Sequence, residues 1–203
     1  RPVRRVAYSP DGKWLACEVA PGGGERERIF LVTSDPEDHS AYAVDTWGDA
    51  TVQIVCWDGE LLAVTAFDPE GVAEGRLVDP ETGESTVVDR RMGGALVHAR
   101  DGAALFRVGA RGIRELLRIV PDGRWWPLLP VDTGATTDAG VILDAGGPDR
   151  PMRMVVRSDH SARRTGLLAV DSGEDGARSW PLASRPDADL DTVEVSLDRS
   201  TAV

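Results

Sequence analysis

Short runs in which apolar and polar residues alternate recur along most of the chain, and each is soon broken by Gly, Pro or Asp. Alternation with a period of two over four to eight residues is the signature of half-buried β-strands. Val3 to Ser9, Lys13 to Ala20, Arg28 to Thr33 and Ala41 to Asp45 read as a first set of four strands. Thr51 to Trp57, Leu61 to Phe67, Gly75 to Val78 and Ser85 to Asp89 form a second set, its last two joined through Asp79-Pro80-Glu81-Thr82-Gly83, where Pro and Gly stand as a turn requires. A third set is Ala95 to Ala99, Ala103 to Gly109, Glu115 to Val120 and Arg124 to Leu129. The fourth is Gly140 to Asp144, Met152 to Arg157, Gly166 to Val170 and Arg178 to Leu182, and Thr192 to Leu197 would begin a fifth.

The sets are in phase. Ser9-Pro10-Asp11-Gly12-Lys13-Trp14-Leu15-Ala16 returns as Cys56-Trp57-Asp58-Gly59-Glu60-Leu61-Leu62-Ala63 and as Ala99-Arg100-Asp101-Gly102-Ala103-Ala104-Leu105-Phe106. A diverged turn at Gly146-Gly147-Pro148-Asp149-Arg150 and then Asp198 continue the series, with a period of 43 to 49 residues. Four short strands per unit, a period in the forties and an Asp-Gly hairpin between the first two strands predict an all-β fold of the β-propeller type. A β-sandwich offers no reason for the turn to recur in phase. The expected organisation is a single propeller segment over residues 1–203, with blades at about 3–45, 51–91, 95–132 and 138–184 and the start of a next blade at 188–203. Arg1 is not a methionine and the last residues alternate without a closing turn, so both ends look cut. The expectation is therefore a partial or open ring, part of a larger propeller, with a closed ring of four as the alternative.

Composition adds limits. Twenty-two glycines and thirteen prolines in 203 residues interrupt the chain too often for a helical bundle. The 34 acidic and 23 basic side chains leave a net charge of −11, which repels phosphate and argues against nucleic acid or an anionic membrane as partner. No apolar run approaches the roughly 18 to 20 residues of a membrane span, and Arg1-Pro2-Val3-Arg4-Arg5 is no secretory leader. A soluble chain is expected. Cys17 and Cys56 are too few for a disulfide scaffold, so a reducing, cytoplasmic setting is expected.

The Ser9 to Ala16 segment resembles the WD40-like repeat of TolB-type propellers and of the prolyl oligopeptidase family of serine peptidases. In the first unit the likeness extends from Ala16 through Pro21-Gly22-Gly23-Gly24-Glu25-Arg26-Glu27 into Arg28 to Val32, where the family runs through a Gly-x-Glu turn into an outward strand. The resemblance implies a non-catalytic propeller that gates peptide access to an α/β-hydrolase domain, its natural partner. The family keeps its catalytic serine, aspartate and histidine in that domain, and no Gly-x-Ser-x-Gly elbow occurs in this chain. Some family members bind the substrate's amino terminus through acidic propeller residues, which makes Glu25 and Glu27 the substrate-binding candidates here. Read as residues alone, Glu25 and Glu27 with Arg26 and Arg28 form a mixed-charge strand edge that blocks sheet-to-sheet pairing. The alternative for the whole chain is a stand-alone TolB-like or WD40-like propeller that binds a peptide or protein on its face. In either case bare apolar faces on the end blades predict self-association.

The remaining candidates read as structural. His39, His98 and His160 fall at different blade phases and form no acid/base set. No catalytic residue, metal site or cofactor is expected, since neither cysteine has zinc ligands at short spacing. Asp187, Asp189 and Asp191 alternate as the first positions of a calcium loop do, but Thr192 and Asp198 stand where that loop wants Gly and Glu. Gly22-Gly23-Gly24 has no following helix or lysine and reads as a hairpin tip. Trp14, Trp57, Trp125, Trp126 and Trp180 are expected to fill blade interfaces, with one of the Trp125-Trp126 pair facing away from the other.

Overall fold

The computed structural model describes residues 3–21, 26–38, 40–44, 48–130, 134–147, 150–160, 162–173 and 175–196. Among the described residues, sixteen strands form four four-stranded antiparallel sheets, each in simple sequence order. The first sheet is β1 (Val3–Tyr8), β2 (Trp14–Val19), β3 (Arg28–Thr33) and β4 (Ala41–Val44). The second is β5 (Thr51–Asp58), β6 (Leu61–Phe67), β7 (Val72–Val78) and β8 (Ser85–Met92). The third is β9 (Ala95–Arg100), β10 (Ala103–Val108), β11 (Glu115–Ile119) and β12 (Trp125–Pro127). The fourth is β13 (Thr137–Asp144), β14 (Met152–Ser158), β15 (Gly166–Gly173) and β16 (Gly176–Ala183). No α-helix occurs among the described residues. Residues 192–196 carry a single bridge position at Val195 and no ladder strand, and Leu197, the last residue of the expected fifth-blade strand, lies outside the described residues.

Most strands fall where alternation puts them, and the departures have local causes. β7 begins at Val72, not Gly75, and β8 runs on to Met92 because Ala73, Glu74 and Gly75 pair with Arg91, Arg90 and Asp89. Their charges cancel in place: Glu74 meets Arg90 at 3.2 Å and Arg76 at 2.5 Å. β13 starts three residues early, at Thr137, since the buried Thr137 hydroxyl is bonded to Ser158 at 2.6 Å and Asp138 to Arg157. β12 is short and closes at Pro127, which has no N–H to give to the ladder.

The recurrent Asp-Gly adopts a different turn in each of the first three sheets. Ser9-Pro10-Asp11-Gly12 is a proline-initiated turn closed by Gly12 N–H donating to the Ser9 carbonyl at 2.9 Å, within a longer loop. Between β5 and β6, Asp58 pairs with Leu61 across Gly59-Glu60, with φ of 59° at Gly59, a type II′ geometry. Between β9 and β10, Asp101 and Gly102 both take positive φ, 50° and 76°, a type I′ geometry.

Packing divides the chain into two compact units, residues 1–99 and 100–203. In the first unit, one face of the β1–β4 sheet packs on the second sheet. Ala16, Ile29, Leu31 and Val44 meet Val52, Ile54, Leu62, Val64, Ala66 and Val78, with Ala7, Trp14, Tyr42 and Trp57 along the margin. Small residues at Ala7, Ala16 and Ala66 let the sheets approach, and the branched side chains fill the gap. In the second unit the interior is built from Leu105, Phe106, Leu116, Leu128, Ile142, Met154 and Val156, all fully buried or nearly so.

Candidate functional site

In the first unit a polar seam runs along the apolar interface and holds Glu27, the described member of the predicted substrate-binding pair. Glu27 lies just before β3 and is buried, 6% exposed. One carboxylate oxygen pairs with Arg4 at 2.8 Å, the other accepts the Gln53 amide at 3.0 Å, and its carbonyl accepts Val52 N–H at 3.0 Å. The seam continues through Glu18, also buried, which accepts Ile54 N–H at 3.0 Å, and through Arg5, which donates to the carbonyls of Ile54 and Val55 at 2.6 and 3.1 Å. Trp57 Nε1 donates to the Ala7 carbonyl at 3.3 Å. These groups satisfy β5 where its register slips between Ile54 and Cys56. Both Glu27 oxygens are thus engaged within the protein. Glu25 lies outside the described residues.

A second feature of this unit is an acidic cleft of about 90 Å³ lined by Asp11, Lys13, Trp14, Glu60, Leu61 and the Asp79-Pro80-Glu81 turn. The Ser9 hydroxyl at 2.6 Å and Lys13 N–H at 3.1 Å hold the Asp11 carboxyl down to about 2, with the Lys13 ammonium at 3.2 Å adding to the effect. Asp79 is lowered by the N–H groups of Glu81 and Thr82. Both carboxylates organise their own turns.

The other candidates are dispersed. His39 is outside the described residues, His98 lies on β9, and His160 follows β14, its N–H bonded to Ser158 Oγ at 3.0 Å. Asp187 pairs with Arg185 at 2.8 Å, Asp189 takes Arg164 at 3.0 Å and Thr165 N–H at 2.9 Å, and Asp191 offers its carbonyl to Arg157, so the alternating aspartates serve three separate partners. Among the described residues no group of three His, Cys, Asp or Glu is placed to hold a metal ion, and no helix is long and apolar enough to cross a membrane. Cys17 and Cys56 are free thiols. Trp14 meets Tyr42 edge to face at 5.9 Å, and Trp57 packs on the core, as expected of interface fillers. Trp126 lies under Arg118 and Arg124, at 4.6 and 5.4 Å, and its neighbour Trp125 faces outward at 48% exposed. Trp180 departs from the interface role: it stands on β16, the last strand of its sheet, and is 45% exposed.

One cluster carries no signal in the sequence. Arg114, Asp138 and Arg157 come from the β10–β11 loop, β13 and β14, with separations that match no motif; only the folding of two sheets brings them together.

No protein-family model matches the sequence, and no curated protein matches it. Solved structures do. A prolyl endopeptidase is similar over 96% of this chain and 30% of its own, at 20% identity and a TM-score of 0.68. A TolB protein of Agrobacterium tumefaciens matches all of this chain and 79% of its own at 16% identity and a TM-score of 0.63. The β-propeller domain of the Trilobed protease from Pyrococcus furiosus, described as having an open velcro topology, matches 96% of this chain and 62% of its own at 13% identity and a TM-score of 0.65. The fold is that of a β-propeller, and its four sheets are blades. The chain spans about a third of the length of the prolyl endopeptidase.

Proposed function

We propose that this chain is the N-terminal β-propeller portion of a prolyl-oligopeptidase-like serine peptidase, gating peptide access to an α/β-hydrolase domain. The observation that supports the reading is the similarity of nearly the whole chain to part of a prolyl endopeptidase, together with the repeat at Ser9 to Ala16. A propeller without a nucleophile elbow acts by what it admits, and its contribution is steric and electrostatic selection. Glu25 and Glu27 remain the candidates for an incoming amine; for Glu27 that role requires exchanging the Arg4 pair for the substrate's ammonium. A reducing, cytoplasmic setting belongs to the same proposal, supported by two unpaired thiols.

The second reading is a TolB-like propeller that binds a peptide or protein ligand. It is favoured by the 79% of the Agrobacterium TolB chain that this sequence spans. Labelling with a fluorophosphonate separates the two. The 203-residue chain alone stays unlabelled in both, whereas the parent protein labels and cleaves short peptides, sparing the same sequence inside a folded protein, only in the first. Labelling of the isolated chain overturns both readings, and an unlabelled parent leaves the binding module.

A further inference from the structure

The first blade packs Ala7, Ala16, Ile29, Leu31 and Val44 on the second blade. Alternation sends the intervening residues to its other side, and the register lays them out in two rows: Val6, Cys17, Phe30 and Ala43, then Tyr8, Leu15, Val32 and Ala41. Neither row contains a charge, and Arg28, opposite Val19, stands at one margin. β1 alone holds three large apolar side chains in the open, Val3 at 55%, Val6 at 54% and Tyr8 at 68% exposed, more than any other described strand. An apolar centre with charge kept to the margin is the composition of a protein interface.

The fourth blade also has a side turned away from its neighbour, but of another kind. Leu105 of the third blade has Cδ1 3.2 Å from where a Cβ on Gly140 would stand, so Val141, Val155, Ala169 and Trp180 form a row on the far side. Beside it runs a charged row, Arg153, Asp171 and Arg178, with Arg153 Nε 3.4 Å from Asp171. Val155 is already 3% exposed, and the chain after β16 returns past this side, Leu190 N–H donating to the Thr165 carbonyl at 2.9 Å and Arg157 to the Asp191 carbonyl. Pressed on the uncharged rows of the first blade, the charged row would lose water and gain no partner. The face of the first blade is matched best by itself. There is also area to cover: the chain exposes 11510 Å², whereas a folded monomer of 21.8 kDa exposes about 9,300 Å². The surplus exceeds the roughly 800 Å² per partner that a standard interface buries.

We propose that the outer face of the first blade is a homodimer interface, packed on the same face of a second copy of this chain about a two-fold axis. Facing sheets interdigitate their side chains, and a two-fold contact is self-complementary and closes at two chains. Cys17 lies among the four central residues of the face, with Leu15, Phe30 and Val32, so association withdraws its thiol from reagents. The inference rests on neither reading of the parent protein. It is tested on the isolated chain, so its failure is distinct from failure of the peptidase assignment, which is read on the parent.

The test follows association and Cys17 together. Sedimentation velocity across the micromolar range should show monomer passing to dimer and nothing larger. In the Cys56→Ala chain, the rate at which excess N-ethylmaleimide labels Cys17 should fall about fivefold or more over the same range, because the dimer hides the thiol that the monomer presents. Should Cys56→Ala fail to fold, peptide mapping of the labelled native chain reads Cys17 directly. Val6→Lys with Tyr8→Lys, both at exposed positions, should give a folded monomer whose Cys17 labels at one rate at every concentration. Trp180→Lys on the fourth blade should dimerise like the native chain. Mixing decides the geometry: in a two-fold interface the double-lysine chain stays out of native dimers, whereas head-to-tail packing through the fourth blade would admit it. A folded native monomer throughout, species larger than a dimer, uptake of the double-lysine chain, or Cys17 labelling indifferent to concentration while dimers form overturns the proposal.

Discussion

At the scale of single residues, much of this fold is held by side chains that bond to the backbone two residues ahead. Before each of Pro36, Pro69 and Pro80 stands an aspartate, Asp35, Asp68 or Asp79, whose Oδ1 accepts the N–H of Glu37, Glu70 or Glu81 at 2.8 to 2.9 Å. Proline fixes φ and the carboxylate closes the turn, so a strand end is specified by two adjacent residues. Cys56 shows the opposite kind of local control. Its Sγ bonds to the N–H and carbonyl of Ala99 at 3.4 and 3.6 Å, and burial pushes the thiol up to about 11. Burial raises Cys17 as well. The thiolate is the reactive form, so at pH 8 Ellman's reagent should label native chain far more slowly than unfolded chain, where both cysteines react at once. The same shift has a sign in stability: as pH rises through about 9 the unfolded thiol ionises while the native one stays protonated, and stability falls toward pH 11. A Cys56→Ser or Cys56→Ala chain should lose that part of the alkaline slope in denaturant titrations. Native Cys56 labelling as fast as in the unfolded chain refutes this account.

Among the elements, the packing around β13 leaves no room for a side chain at one glycine. Gly140 on β13 has no unusual φ, yet a Cβ there would lie 2.8 Å from Val156 Cγ1, 3.1 Å from the Val155 carbonyl oxygen and 3.2 Å from Leu105 Cδ1. Gly140→Ala forces a rotamer change or a backbone shift and is expected to cost about 1 to 3 kcal/mol, read as a lowered denaturant midpoint at unchanged slope. Gly147→Ala, where nothing lies within 4 Å, is the control. Strand positions were readable in the sequence because alternation and Asp-Gly spacing are local. The β7 and β8 extensions were not, because Glu74, Arg76 and Arg90 look like loop residues until their pairing is known. For the same reason Glu27 reads as an exposed edge charge. Its burial depends on Arg4 and Gln53, which lie 23 and 26 residues away in sequence. The pairing of Arg114 and Arg157 with Asp138 was invisible for want of any spacing rule. Pattern reports what a strand is; it does not report which charged side chains a neighbouring sheet will trap.

For the molecule as a whole, the decisive fact is that the first blade is apolar on both faces. Ala7, Ala16, Ile29, Leu31 and Val44 face the second blade. Strand alternation sends Val6, Tyr8, Leu15, Cys17, Phe30 and Val32 to the other side, and the register sets them opposite one another: Val6 on Cys17, Tyr8 on Leu15, Leu15 on Val32, Cys17 on Phe30. None of the six is fully buried, and Val6 and Tyr8 are 54% and 68% exposed. A sheet face of this kind is the surface that one blade offers another, and left in water it forfeits about 25 cal/mol for every Å² it could bury. The isolated chain should therefore self-associate through this face. Sedimentation velocity at micromolar concentration should show dimers or larger species that dissociate on dilution, and Val6→Glu with Tyr8→Lys should shift the chain to monomer while leaving its β-sheet circular dichroism intact. A well-folded monomer at those concentrations, with the native sequence, would mean that the outer face of the first blade is tolerated in water and that burial on one side suffices.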